Sequence, residues 1–146
     1  MKGKLICGVV ILMAIIIGKV VGNLSGNAIA EKYIATKASN SNHSYLVEFA
    51  SETNKSLPTM IDRDTRLDTV LAFNNRLEYM YTLVNLEVST EIENAILNNL
   101  VPTVTNFLCT SDSTRSMLEN NIPLSYNYRD MHGRQITDFE VTISDC

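Results

Sequence analysis

Ile122-Pro123-Leu124-Ser125-Tyr126-Asn127-Tyr128 and, beyond a His132-Gly133 turn, Thr137-Asp138-Phe139-Glu140-Val141-Thr142-Ile143 alternate apolar with polar residues. Successive side chains of a strand point to opposite faces. Each stretch therefore gathers its apolar residues on one face. Pairing residues whose numbers sum to 265 sets Tyr128 against Thr137, Tyr126 against Phe139, Leu124 against Val141 and Ile122 against Ile143. A slip of one residue would turn the whole apolar set to solvent, so the register is specified by the pattern itself. A second hairpin is expected upstream, from residues 67–73 and 76–84 around Asn74-Asn75. Asparagine tolerates the positive φ that a two-residue hairpin turn needs. That turn pairs Val70 with Tyr79 and Ala72 with Leu77.

Helical spacing fills the gaps. Tyr45, Leu46, Phe49 and Ala50 line one side of a helix over 44–54, which Leu57-Pro58 terminates because a residue before proline avoids the helical region. Thr90-Glu91-Ile92-Glu93 has capping-box spacing, with Thr90 as the cap. Ile92, Ile96, Leu100, Val104 and then Phe107 or Leu108 continue as an apolar stripe. Pro102 falls inside the stripe and should kink it near Leu100. A shorter helix over 113–119 starts from Ser111 or Asp112. The resulting order, β-β-α-α-β-β after a leading helix, predicts an α+β fold. Its expected form is one four-stranded antiparallel sheet built from two hairpins, with helices on one face.

In front of this domain stands an N-terminal hydrophobic segment. Lys2 and Lys4 precede an apolar run over 5–17 and then Gly18-Lys19-Val20-Val21-Gly22. A basic start and a short apolar core describe a signal peptide, whereas a membrane-spanning helix wants about 20 apolar residues. Ala14, Gly18, Gly22, Gly26 and Ala30 recur every four residues. On a continuous helix they form a ridge of small side chains of the kind that packs helices closely in a bilayer. The ridge favours a retained anchor, and with it a homo-oligomer; cleavage stays as the alternative. The expected division is 1–22 as transmembrane anchor or signal peptide, 23–42 as tether and 43–146 as domain. Positive charge before the run keeps the N-terminus inside, which places the domain outside the cytoplasm.

Residues 40–146 carry seven Lys or Arg against fifteen Asp or Glu, a net charge of −8. Such a domain is repelled by phosphate backbones, so nucleic acid is not among the expected partners. Cys109 and Cys146 are its two cysteines, and outside the cytoplasm such a pair is expected to form a disulfide. The loop it closes corresponds to about 4 kcal/mol in the chain-entropy model. A catalytic thiol is the competing reading, with neither a neighbouring histidine nor a CxxC partner in its favour.

No catalytic set, metal site or cofactor motif is apparent. His43 and His132 are far apart in sequence, and the chain lacks a glycine-rich phosphate loop and a GxSxG elbow. Asp62, Arg63, Asp64, Arg66 and Asp68 form the densest polar segment and the candidate ligand site. Its aspartates mimic part of a calcium loop, but Arg66 and Leu67 stand where that loop needs an oxygen ligand and a glycine. Tyr79, Tyr81, Tyr126 and Tyr128 are expected in a thin core beneath the helices, with an aromatic binding surface as the alternative. Asn42-His43-Ser44 and Asn54-Lys55-Ser56 match the glycosylation sequon.

Leu57-Pro58-Thr59-Met60-Ile61-Asp62, Thr65-Arg66-Leu67-Asp68, Tyr81-Thr82-Leu83-Val84-Asn85 and Cys109-Thr110 together resemble a group of small uncharacterised bacterial proteins that are exported or membrane-anchored. The resemblance covers roughly the last ninety residues. It implies a bacterial source, an extracytoplasmic α+β domain and a more secure Cys109–Cys146 bridge, and carries no activity over. The functional expectation is a non-enzymatic accessory domain of the cell envelope, membrane-held through the N-terminal segment and bound to a protein partner. A small periplasmic enzyme or ligand-binding protein using the 62–68 segment is the alternative. N-terminal sequencing of the mature protein separates the two fates of the leading segment. A start at or near Met1 is expected for the anchor; a start near Asn23 would establish cleavage.

Overall fold

The structure, a computed structural model, describes residues 41–146. The anchor, most of the tether and the small-residue ridge lie outside the described residues. The described part opens with helix α1 (Ser41–Asn54) and runs through three strands, β1 (Thr59–Met60), β2 (Thr65–Phe73) and β3 (Arg76–Leu83). Helix α2 (Thr90–Ala95), a π-helical turn (Ile96–Leu100), α3 (Val101–Thr110) and α4 (Asp112–Glu119) follow. Strands β4 (Leu124–Arg129) and β5 (Gln135–Val141) and a 3₁₀ turn (Ile143–Asp145) end it. No helix among the described residues is long and apolar enough to cross a membrane.

The fold is α+β, with one sheet of five strands rather than four, ordered β1-β2-β3-β4-β5. Both hairpins take the anticipated register. Val70 faces Tyr79 and Ala72 faces Leu77 around Asn74 and Asn75, whose φ angles are 48° and 60°. Tyr128 faces Thr137, Tyr126 faces Phe139 and Leu124 faces Val141. Ile122 and Ile143 do not extend that ladder, because Ile143 turns into the 3₁₀ segment.

Two corrections concern the sheet. β1 is a two-residue edge strand between Pro58 and the 62–68 segment, where no strand is expected, paired through Thr59–Leu67 and Met60–Arg66. The hairpins join in parallel, not antiparallel, with Leu77 beside Leu124, Tyr79 beside Tyr126 and Tyr81 beside Tyr128. The helical crossover between β3 and β4 returns the chain to the end of the sheet where β3 began, and a strand entered there runs parallel to it.

That pairing sets the four tyrosines side by side on the inner face. Ring centroids lie 5.3 Å apart for Tyr79–Tyr126, 5.0 Å for Tyr81–Tyr128 and 5.0 Å for Tyr126–Phe139, all within 12° of parallel. Tyr126 and Tyr128 are fully buried, so these rings are core. Offset stacks of this kind add roughly 0.5–1.5 kcal/mol each beyond area burial. Leu46, Phe49 and Ala50 of α1 and Ile96, Leu100, Val104 and Leu108 of the second helical run close over the same face.

Local signals account for most helix ends. The α2 cap is Ser89, one residue before the expected Thr90; its extended backbone lets its Oγ accept the Ile92 amide at 3.3 Å. Pro102 cannot donate to the turn before it, and the strain is absorbed as a π turn in which the Val101 amide reaches Ile96. Asn54, the last residue of α1, uses its side chain as a strand. Its Nδ2 donates to the Val70 carbonyl and its Oδ1 accepts the Val70 amide, both at 2.8 Å. β1 is too short to cover that part of the β2 edge, and Asn54 covers it.

Replacing Tyr126 by alanine should therefore cost roughly 3–5 kcal/mol in urea unfolding, because the site cannot collapse between its stacked neighbours. A loss near 1 kcal/mol would show that the ladder is peripheral to stability.

Candidate functional site

The 62–68 segment divides between two places. Asp62 stays in the β1–β2 turn, where its Oδ1 accepts the amides of Asp64 and Thr65 at 2.8 Å each. Asp64 is buried and accepts from Asn85 Nδ2 at 2.8 Å, while Arg63 is largely exposed. Arg66 and Asp68 pair with each other on the outer face of the sheet, where Thr82 donates to Asp68 at 2.6 Å. The first set precedes β2 and the second lies on it, so the two are held by different parts of the chain. The turn also holds two buried oxygens without a hydrogen-bond partner, Asp62 Oδ2 and Thr65 Oγ1. Burial first, and then the Asp62 carboxylate, push the Tyr128 phenol above its usual range.

The outer face of the sheet lies opposite the helices and is the open surface of the domain. A concavity of about 370 Å³ crosses β3, β4 and β5 there, lined by residues that include Phe73, Arg76, Glu78, Ser125, Asn127 and Glu140. Arg76 forms an ion pair with Glu140, and Ser125 donates to the same carboxylate at 2.7 Å. Arg76 Nε is buried and unpartnered. Phe73 and Leu71 are 60% and 44% exposed beside it. The groove thus offers a cation, carboxylates and apolar surface. The six residues named come from four strands, β2 to β5, and only the fold brings them together. The histidines stand elsewhere: His43 is exposed on α1, and His132 lies 3.3 Å from Glu87.

Asp130 is a structural centre that no motif announces. It is fully buried at the β4–β5 turn and accepts the amides of His132 and Arg134 at 2.9 Å each and that of Val88 at 3.1 Å. Arg134 Nη2 lies 2.7 Å from the same carboxylate. Desolvation alone would raise its pKa, but these donors outweigh burial and hold the carboxyl far below the usual carboxylate range. The Val88 bond ties the turn to the segment that enters α2. Gly133, at φ 78°, supplies the left-handed residue the turn requires.

Cys109 and Cys146 form a disulfide with Cα atoms 5.4 Å apart, joining α3 to the end of the chain. The 3₁₀ turn before it is closed by a capping box between Thr142 and Asp145.

A family model described as a domain of unknown function (DUF8479) matches residues 40–137, and the chain belongs to that family. No curated protein matches the sequence. Three solved structures share the fold. One is a secreted-protein candidate from Pseudomonas aeruginosa, 15% identical, with a TM-score of 0.63 over 75% of this chain and 99% of that one. The second is EpsS, the pilotin of the Vibrio vulnificus type 2 secretion system, 18% identical, with a TM-score of 0.59 over 73% and 93%. The third is AspS, a type II secretion system pilotin from Vibrio cholerae, 17% identical, with a TM-score of 0.54 over 73% and 94%. At these identities the likeness is one of fold.

The depressed Asp130 pKa gives an acid dependence of stability. Its contribution is complete above the unfolded carboxylate pKa near 4 and fades as pH falls toward the lower native value. Unfolding midpoints measured from about pH 6 to pH 2 should fall on the acid side, and Asp130→Asn should be less stable at pH 6 with a flatter acid limb. Equal midpoints for the two proteins at pH 6 would remove Asp130 from this role.

Proposed function

We propose that this chain is a non-enzymatic accessory protein of the bacterial cell envelope that acts by binding another protein. The observation that carries this reading is the fold it shares with two type II secretion pilotins and a secreted-protein candidate, at TM-scores of 0.54–0.63. The surface is consistent with it. One whole face of the sheet is open among the described residues, and its groove mixes an arginine, carboxylates and exposed apolar side chains, the composition of a polar-rimmed contact patch. The disulfide fits an oxidising compartment. In this reading residues 1–22 hold the domain at the inner membrane with the domain in the periplasm, or direct its secretion if they are cleaved. A small ligand bound by the 62–68 segment has less support, because its side chains divide between a turn and the outer face.

Affinity capture of the full chain from envelope fractions, with reversible crosslinking and mass spectrometry, tests the proposal. One envelope protein enriched over a control carrying an unrelated exported domain is expected. Failure to enrich any protein over that control would overturn it.

A further inference from the structure

The two edges of the sheet are finished differently. β2 is covered by β1 at Arg66 and Leu67 and by the Asn54 amide at Val70. β5 has β4 on one side only; among the described residues nothing hydrogen-bonds to its backbone on the other. Seven residues of unpaired edge form a template for another strand.

Two features define the strand that fits. On the inner face the aromatic ladder ends at Phe139, stacked on Tyr126 and Tyr128 with centroids at 5.0 and 6.2 Å. Phe139 is only partly buried, and no ring stacks beyond it among the described residues. An aromatic side chain on an added strand would lie in cross-strand contact with it. On the outer face Asp138 is exposed and receives one hydrogen bond, from Gln135 Nε2 at 2.9 Å. Neither Asp138 nor nearby Glu78 has an ion-pair partner among the described residues, while Glu140 is paired with Arg76. The strip is net negative. Two copies joined edge to edge would crowd their Asp138 and Glu140 carboxylates, whereas basic side chains would meet them favourably.

We propose that β5 is a docking edge for an extended segment of a partner protein in which aromatic and basic side chains alternate, added to the sheet as a sixth strand. The proposal rests on the protein-binding reading above and goes further by naming the edge and the chemistry of its occupant.

The probe is a synthetic peptide alternating lysine with phenylalanine or tyrosine, titrated into the isotopically labelled full chain in detergent. Binding should slow hydrogen exchange at alternate amides of residues 135–141. Asp138→Lys changes an exposed side chain and should weaken binding by roughly tenfold. N-methylation of alternate peptide residues, which removes strand-forming donors, should abolish binding. Absence of binding, changes confined to the groove at Arg76 and Glu78, or equal binding of a peptide with aspartate in place of lysine would each overturn the proposal. Concentration-dependent dimers protected at 135–141 would overturn it in favour of a second copy. If affinity capture succeeds equally well with the Asp138→Lys chain, the edge assignment fails while the accessory function stands.

Discussion

Everything in this domain hangs on the parallel junction between β3 and β4. Two hairpins, each specified locally, become one sheet only where Tyr79 meets Tyr126 and Tyr81 meets Tyr128. The stacked rings fuse the hairpins and give the helices a flat apolar floor. Tyr126 and Tyr128 are the largest side chains to be wholly enclosed. With backbone bonds and ring stacks coinciding along one line, a register error there would break both at once.

The junction also fixes where the open surface lies. Turning the tyrosines inward turns Glu78, Ser125 and Asn127 outward, and the groove is the outer counterpart of the ladder. Core and candidate binding face are thus set by the same alternation. A substitution that shifted β4 by one residue against β3 would rebuild both.

The sequence carried the local part of this structure. The register of the C-terminal hairpin follows from period-two alternation, and that of the upstream hairpin follows from the Asn74-Asn75 turn, whose residues tolerate positive φ. The direction in which the hairpins join was not legible, because alternation looks the same in parallel and antiparallel pairs. β1 is too short to show a period. Asn54 looked like an ordinary residue at a helix end, and its role depends on a strand edge sixteen residues away. The candidate site was least legible. Closeness in sequence grouped Asp62, Asp64, Arg66 and Asp68, but the first two sit in the turn before β2 and the last two on the strand. The groove residues gave no signal because they are adjacent only across strands. Asp130 had a faint one, an aspartate entering a turn that contains a glycine.

The clamp at Asn54 has a consequence for where this domain can be made. Asn54-Lys55-Ser56 is a glycosylation acceptor sequence, and the nitrogen that would receive the sugar is the one that donates to Val70. In a eukaryotic secretory pathway the glycan would be attached before the sheet closes, and its bulk has no room against the β2 edge. Where asparagine is not glycosylated no such conflict arises, so the same asparagine that seals the sheet would become a barrier to folding in a cell that decorates it.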